Sequence, residues 1–207
     1  MIIDFTVENY RSIKTAMTLS AIAANSKKTS SARERYKVDD DICSPFTVEG
    51  QSFGILPVLA IYGANASGKS NVLSALNSFL SYITYGSSSR RGLIPVIPFL
   101  LDDTTHKSST NFEIRISLKN GIYVYAVSVT RSQVLQESLM LLRPHAKRKT
   151  PQVIFERQWN SEEGSYTWTN SKDFLEIHQQ LQVNLNKSEF YLSFLHRLQL
   201  PFLQDLH

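Results

Sequence analysis

Apolar and polar positions alternate from the start of the chain. Ile3, Phe5 and Val7 fall on one face and Asp4, Thr6 and Glu8 on the other, the period-two pattern of a half-buried strand over residues 2–8. Asn9-Tyr10-Arg11-Ser12 reads as a turn, and Met17, Leu19 and Ala21 resume the alternation, which predicts a hairpin. Residues 25–52 lose the period. Lys27, Lys28, Arg33, Arg35 and Lys37, then Asp39, Asp40 and Asp41, mark a mostly irregular surface excursion with a short helix around Ser31–Tyr36. Val58-Leu59-Ala60-Ile61-Tyr62 is a continuous apolar run, the pattern of a short buried strand. Val72, Leu76, Phe79 and Ile83 then recur at three- and four-residue spacing, predicting a helix from about Lys69 to Ile83.

Ser87-Ser88-Ser89-Arg90-Arg91-Gly92 reads as a loop, and Pro95 and Pro98 keep residues 93–101 from being a central strand. The clearest strand signal follows. Phe112, Ile114, Ile116 and Leu118 alternate up to Asn120-Gly121, and Tyr123, Tyr125, Val127 and Val129 alternate back, a tight hairpin. Further strands are expected at 133–141, 152–159 and 165–169, and helices at 172–184 and 188–199.

Between the apolar run and the first long helix stands Gly63-Ala64-Asn65-Ala66-Ser67-Gly68-Lys69-Ser70-Asn71. This is G-x-x-x-x-G-K-S with a strand expected before it and a helix after it, the context a phosphate-binding loop requires. Successive backbone N–H groups from Asn65 through Ala66, Ser67, Gly68 and Lys69 to Ser70 can converge on a polyphosphate, reinforced by the positive end of the helix. Gly63 and Gly68 stand where a side chain would obstruct the wrapping. Lys69 is the candidate catalytic cation on the β- and γ-phosphates, and the Ser70 hydroxyl the candidate Mg²⁺ ligand.

Composition narrows the setting. The chain has 207 residues, 42% apolar, enough for one large α/β domain or two small ones, and its net charge of +4 permits nucleic-acid contact without demonstrating it. The single Cys43 excludes an internal disulfide framework and points to a reducing, cytoplasmic setting. Neither a membrane span nor a signal peptide is expected. His106, His145, His178, His196 and His207 show no metal spacing. Arg143-Pro144-His145-Ala146-Lys147-Arg148-Lys149 and Arg90-Arg91 are basic clusters that suit either nucleic acid or plain solvated loops. Hydrolysis also needs an acidic strand end. Ile97-Pro98-Phe99-Leu100-Leu101-Asp102-Asp103 is the one apolar run ending in two acids, but Pro98 removes a ladder donor and favours a loop.

The first strand with Glu8-Asn9-Tyr10-Arg11-Ser12-Ile13, followed by the 63–71 loop, resembles the N-terminal half of ABC-type ATPases of the RecF/SMC/OLD group. It is similar in particular to the AAA family ATPases of anti-phage defence modules, such as PtuA of Septu. Gln136-Glu137-Ser138-Leu139, Tyr191-Leu192-Ser193-Phe194-Leu195 and Leu200-Pro201 fit the β lobe of such proteins and its closing helix. The resemblance implies an α/β fold, a P-loop NTPase (ABC ATPase-like) core with an inserted antiparallel β subdomain. Residues 1–100 would begin the core, 101–170 form the lobe and 171–207 return to the core. The signature motif, the acidic strand and the rest of the ATPase would lie in a C-terminal half outside this sequence. It further implies ATP and Mg²⁺ as cofactors, Arg11 and Asn71 beside the nucleotide, and a head-to-tail homodimer or higher homo-oligomer. The implied function is control of an effector, a nuclease, by nucleotide state in phage defence. A DNA-repair ATPase and a non-hydrolysing interaction module are the alternatives. The family's Q-loop glutamine is assigned to neither Gln133 nor Gln136.

Overall fold

A computed structural model describes residues 1–23, 44–48, 51–86, 93–119, 121–143, 151–172 and 185–198. Strand β1 (Ile2–Glu8) turns at residues 9–13 and pairs antiparallel with β2 (Met17–Ser20), setting Phe5 against Leu19. On its other edge β1 pairs antiparallel with β5 (Thr110–Leu118). From there β6 (Gly121–Val129), β7 (Val134–Leu142), β8 (Gln152–Asn160) and β9 (Ser165–Asn170) follow as a meander. The result is one seven-stranded sheet of order β2-β1-β5-β6-β7-β8-β9. Every pair in it is antiparallel. The expected hairpins and later strands are present within a residue or two of their predicted bounds.

Helix α1 (Lys69–Tyr85) lies across one face of this sheet. It buries Val72, Ala75, Phe79 and Tyr82, while Leu76 and Ile83 are only partly buried. The apolar stripe is therefore rotated by about one position from the predicted 72-76-79-83. Phe79 is its anchor, with ring centroids 5.0 Å from Phe112, 5.7 Å from Tyr125 and 6.0 Å from Phe5. Full burial of a Phe side chain contributes about 2–3 kcal/mol, so this cluster dominates the attachment of α1 to the sheet.

Helix α2 (Tyr191–Arg197) is seated by a buried carboxylate. Glu137 on β7 accepts the N–H groups of Tyr191 at 2.9 Å and Leu192 at 3.0 Å, satisfying donors that every helix start leaves orphaned. The same carboxylate accepts the Tyr125 hydroxyl at 2.8 Å and Arg157 Nε at 2.8 Å. Glu137 and Arg157 are both fully buried, with Arg157 Nη2 2.6 Å from the carboxylate. The guanidinium lies over the rings of Tyr166 and Trp168. Burial pushes the phenols of Tyr125, Tyr82 and Tyr191 well above their ordinary range.

Two expectations are corrected here. Residues 58–62 form no strand, and Val58 and Tyr62 are 78% and 90% exposed. An apolar run becomes a buried strand only beside other strands, and no described strand pairs with it. In contrast, residues within the expected irregular excursion form a hairpin of β3 (Ser44–Val48) and β4 (Gln51–Ile55). Leu56 N–H donates to the Ala21 carbonyl, joining this hairpin to the end of β2. The helices expected around 31–36 and 172–184, and most of both basic clusters, fall outside the described residues. The antiparallel part of the expected fold is thus present, and no parallel pair occurs among the described strands. No helix among the described residues is long and apolar enough to cross a membrane.

Candidate nucleotide site

The loop before α1 is held open by its backbone. Gly63 has φ 158°, Ala66 is left-handed at φ 63°, and Gly68 caps the helix at φ 92°. A Cβ on Gly63 would lie 2.8 Å from Ser67 Oγ and would sit on a backbone angle that side chains rarely adopt, so glycine suits the curve there. Ser67 N–H reaches back to the Ala64 carbonyl at 3.3 Å, whereas the N–H groups of Asn65, Ala66, Gly68, Lys69 and Ser70 meet no acceptor among the described residues. The first turn of α1 carries no acidic residue, so its positive end is uncompensated. Lys69 Nζ donates to the carbonyls of Gly63 at 2.8 Å and Ala64 at 2.6 Å, which places the ammonium within the loop's own curve. Ser70 is exposed in the same turn. Free N–H donors, a helix N-terminus and an ammonium on one exposed loop suit the oxygens of a polyphosphate.

The turn between β1 and β2 is brought against this loop. Asn71 Nδ2 donates to Ser12 Oγ at 2.7 Å. Arg11 is left-handed at φ 51°, donates its N–H to the Ile97 carbonyl at 2.7 Å and lies over the Tyr10 ring. Residues 63–71 and the turn at residues 9–13, 50 positions apart at their nearest ends, are therefore neighbours through Ser12 and Asn71. Among the described residues no group of three or more His, Cys, Asp or Glu could hold a metal.

Asp102 is engaged elsewhere. Residues 97–103 form no strand, and Asp102 accepts Lys14 Nζ at 2.6 Å and Thr104 N–H at 2.9 Å. The Lys14 ammonium, with Thr104 beside it, holds this carboxyl well below the usual carboxylate range. The loop reading of this segment is the one the structure shows. Gln136 Nε2 donates to the Glu156 carboxylate on β8 at 3.1 Å, and the Gln133 carbonyl closes the turn before β7 by accepting the Thr130 N–H.

Sequence reasoning gave Arg11 a place in the site and left Asn9 and Ser12 as turn residues without a role, although the two hold that turn. Asn9 Nδ2 donates to the carbonyls of Thr105, Ser108 and Ser109, and its Oδ1 accepts Phe99 N–H. Those partners lie about a hundred positions away, so no local pattern signals them.

No curated protein matches the chain. A family model described as "AAA domain, putative AbiEii toxin, Type IV TA system" matches residues 58–202, well over half of the sequence and inclusive of the whole phosphate loop. The chain belongs to this AAA-domain family of P-loop ATPases.

Proposed function

We propose that this chain is the nucleotide-binding portion of an ABC-type ATPase of the RecF/SMC/OLD kind, in which bound ATP controls a partner. The observation that carries the reading is the set of free N–H donors around Lys69, on a loop that lacks any acid. Asn65, Ala66, Ser67, Gly68 and Ser70 would hold the phosphates, Lys69 would neutralise their charge, and the Ser70 hydroxyl would ligate Mg²⁺. Arg11 stands in the adjoining turn as a further cation for the nucleotide. The described residues supply no acidic strand end beside the loop, so hydrolysis needs groups from outside them. The exposed Val58, Leu59 and Tyr62 support this, since such a run gains most by pairing with further strands.

The chain would act as a homodimer or larger homo-oligomer, with nucleotide state gating an effector, a nuclease, in defence against phage. The match to a family whose description names a putative toxin of a toxin–antitoxin system is consistent with a defence role. The test is thermal unfolding with Mg-ATP beside Lys69→Ala. ATP at 100 times its Kd stabilises by about 2.7 kcal/mol, and at roughly 2–4 °C per kcal/mol for this size the midpoint rises by about 5–10 °C. A folded wild-type chain with no rise, or an equal rise in the variant, refutes the assignment.

A further inference from the structure

The β1–β2 turn holds two non-glycine residues in the left-handed region, Asn9 at φ 53° and Arg11 at φ 51°. Such conformations persist only where the surroundings over-determine them, and here they do. The Asn9 carboxamide is fully used by the 99–109 segment. The Tyr10 and Ile13 backbones bond each other at 2.9 and 2.8 Å, and Arg11 N–H is taken by Ile97. The turn is thus a fixed arm of the sheet, and Ser12 stands at its tip.

Ser12 Oγ accepts Asn71 Nδ2 at 2.7 Å and would lie 3.5 Å from a Cβ placed on Gly68. Among the described residues this is the one side-chain hydrogen bond that ties the first turn of α1, residues 69–72, to the β1–β2 turn. It lands three residues past Gly68 and directly after Lys69 and Ser70, whose N–H groups are free. Without it, that turn is restrained by the helix behind it, by the burial of Val72 and by Lys69 bonding its own loop, none of which fixes the Lys69–Asn71 side.

We propose that Ser12 is a positioning residue of the phosphate site, fixing the Gly68–Asn71 turn through Asn71 so that its N–H groups converge on the nucleotide. This rests on the nucleotide reading above. Because the bond is at an exposed position, its loss leaves the fold almost unaffected. Its effect falls on the pre-organisation of the donors, and hence on affinity.

The test measures Mg-ATP affinity and ligand-free melting for the wild type, Ser12→Ala, Ser12→Thr, Asn71→Ala and the Ser12→Ala/Asn71→Ala pair, with Lys69→Ala as reference. One hydrogen bond's worth of pre-organisation predicts that Ser12→Ala weakens ATP by roughly 3- to 10-fold. Its ligand-free melting point should change by less than about 2 °C. Ser12→Thr keeps the hydroxyl and restores binding, and the double variant binds no worse than Asn71→Ala alone. If ATP binds the wild type and fails with Lys69→Ala, yet binds Ser12→Ala normally, this inference alone falls. Additive losses in the double variant also overturn it. A wild-type chain that ignores ATP overturns both this and the nucleotide reading.

Discussion

Replacing Glu137 by Leu removes a charge that nothing nearby can replace. The carboxylate accepts four hydrogen bonds, from Tyr125, Arg157 and the N–H groups of Tyr191 and Leu192. It also neutralises a guanidinium that is itself 0% exposed. Truncating one member of a buried pair costs about 3–5 kcal/mol, because the other charge stays behind. Arg157 stays charged, and its stacking over Tyr166, 4.6 Å to the ring centroid, and Trp168, with its bond to the Glu189 carbonyl, offsets only part of the loss. The expected cost is therefore about 3–5 kcal/mol, or a melting point lower by roughly 6–20 °C. Arg157→Met is expected to cost less, since Glu137 keeps the Tyr125 hydroxyl and two helix N–H donors. The Glu137→Leu/Arg157→Met pair should recover at least half of the larger single loss, as apolar replacements of buried pairs commonly do. The assay is urea unfolding of all four chains. A Glu137→Leu loss below about 1 kcal/mol, or a double variant equal to the sum of the singles, would refute a desolvated pair at this position.

Two further outcomes follow from the same interior. Tyr82, Tyr125, Tyr166 and Tyr191 have phenols raised by burial, so each favours folding fully below the unfolded value near 10, and that contribution disappears as pH climbs through the folded values. A spectrophotometric titration should show these four silent near pH 10 and then appearing together with unfolding; smooth titration of the four at about pH 10 would contradict it. Gly121→Ala should cost about 1–3 kcal/mol in urea unfolding, because φ is 152° and the new Cβ would lie 2.6 Å from the Leu142 carbonyl. Gly164→Ala, with φ 65° and open space around it, isolates the backbone contribution, and equal costs at the two sites would argue against the close approach.

The parts of this fold legible in the sequence are those whose partners are local. Strand β1, the β1–β2 hairpin, the two strands of the β5–β6 hairpin and α1 follow from period, because period reports which face is buried without naming what covers it. The rotated stripe on α1 shows the limit of that signal. Val72-Leu76-Phe79-Ile83 and Val72-Ala75-Phe79-Tyr82 are both apolar, and the choice falls to the second because Tyr82 reaches the Ser188 carbonyl and Phe190 from the far end of the chain. Gly121 is a similar case. Asn120-Gly121 announces the hairpin correctly, yet Gly121 pairs with Leu118 on the strand itself, and its lack of a side chain serves the approach of β7. The β3–β4 hairpin was hidden by polar composition and by Pro45, which a two-stranded ribbon tolerates because both strands are edges.

The candidate site divides along the same line. Its phosphate loop is written in eight consecutive positions, since a backbone cradle needs glycines at fixed offsets. The residues that place the loop are not. Asn9 and Ser12 act on partners between 59 and 100 positions away; in the same way Glu137, which seats α2 and not the loop, works 20 residues from Arg157 and 54 from Tyr191. A short polar residue in a turn, or an acid on a strand, reads by default as solvated. The apolar run at 58–62 errs in the opposite sense: it states a requirement for neighbouring strands that residues 1–207 leave unmet among their described strands. On the proposed reading the described residues supply donors for holding phosphates and no acidic strand end for cleaving them, and both bear on the exposed side of residues 58–70. A carboxylate that serves hydrolysis would have to reach that side.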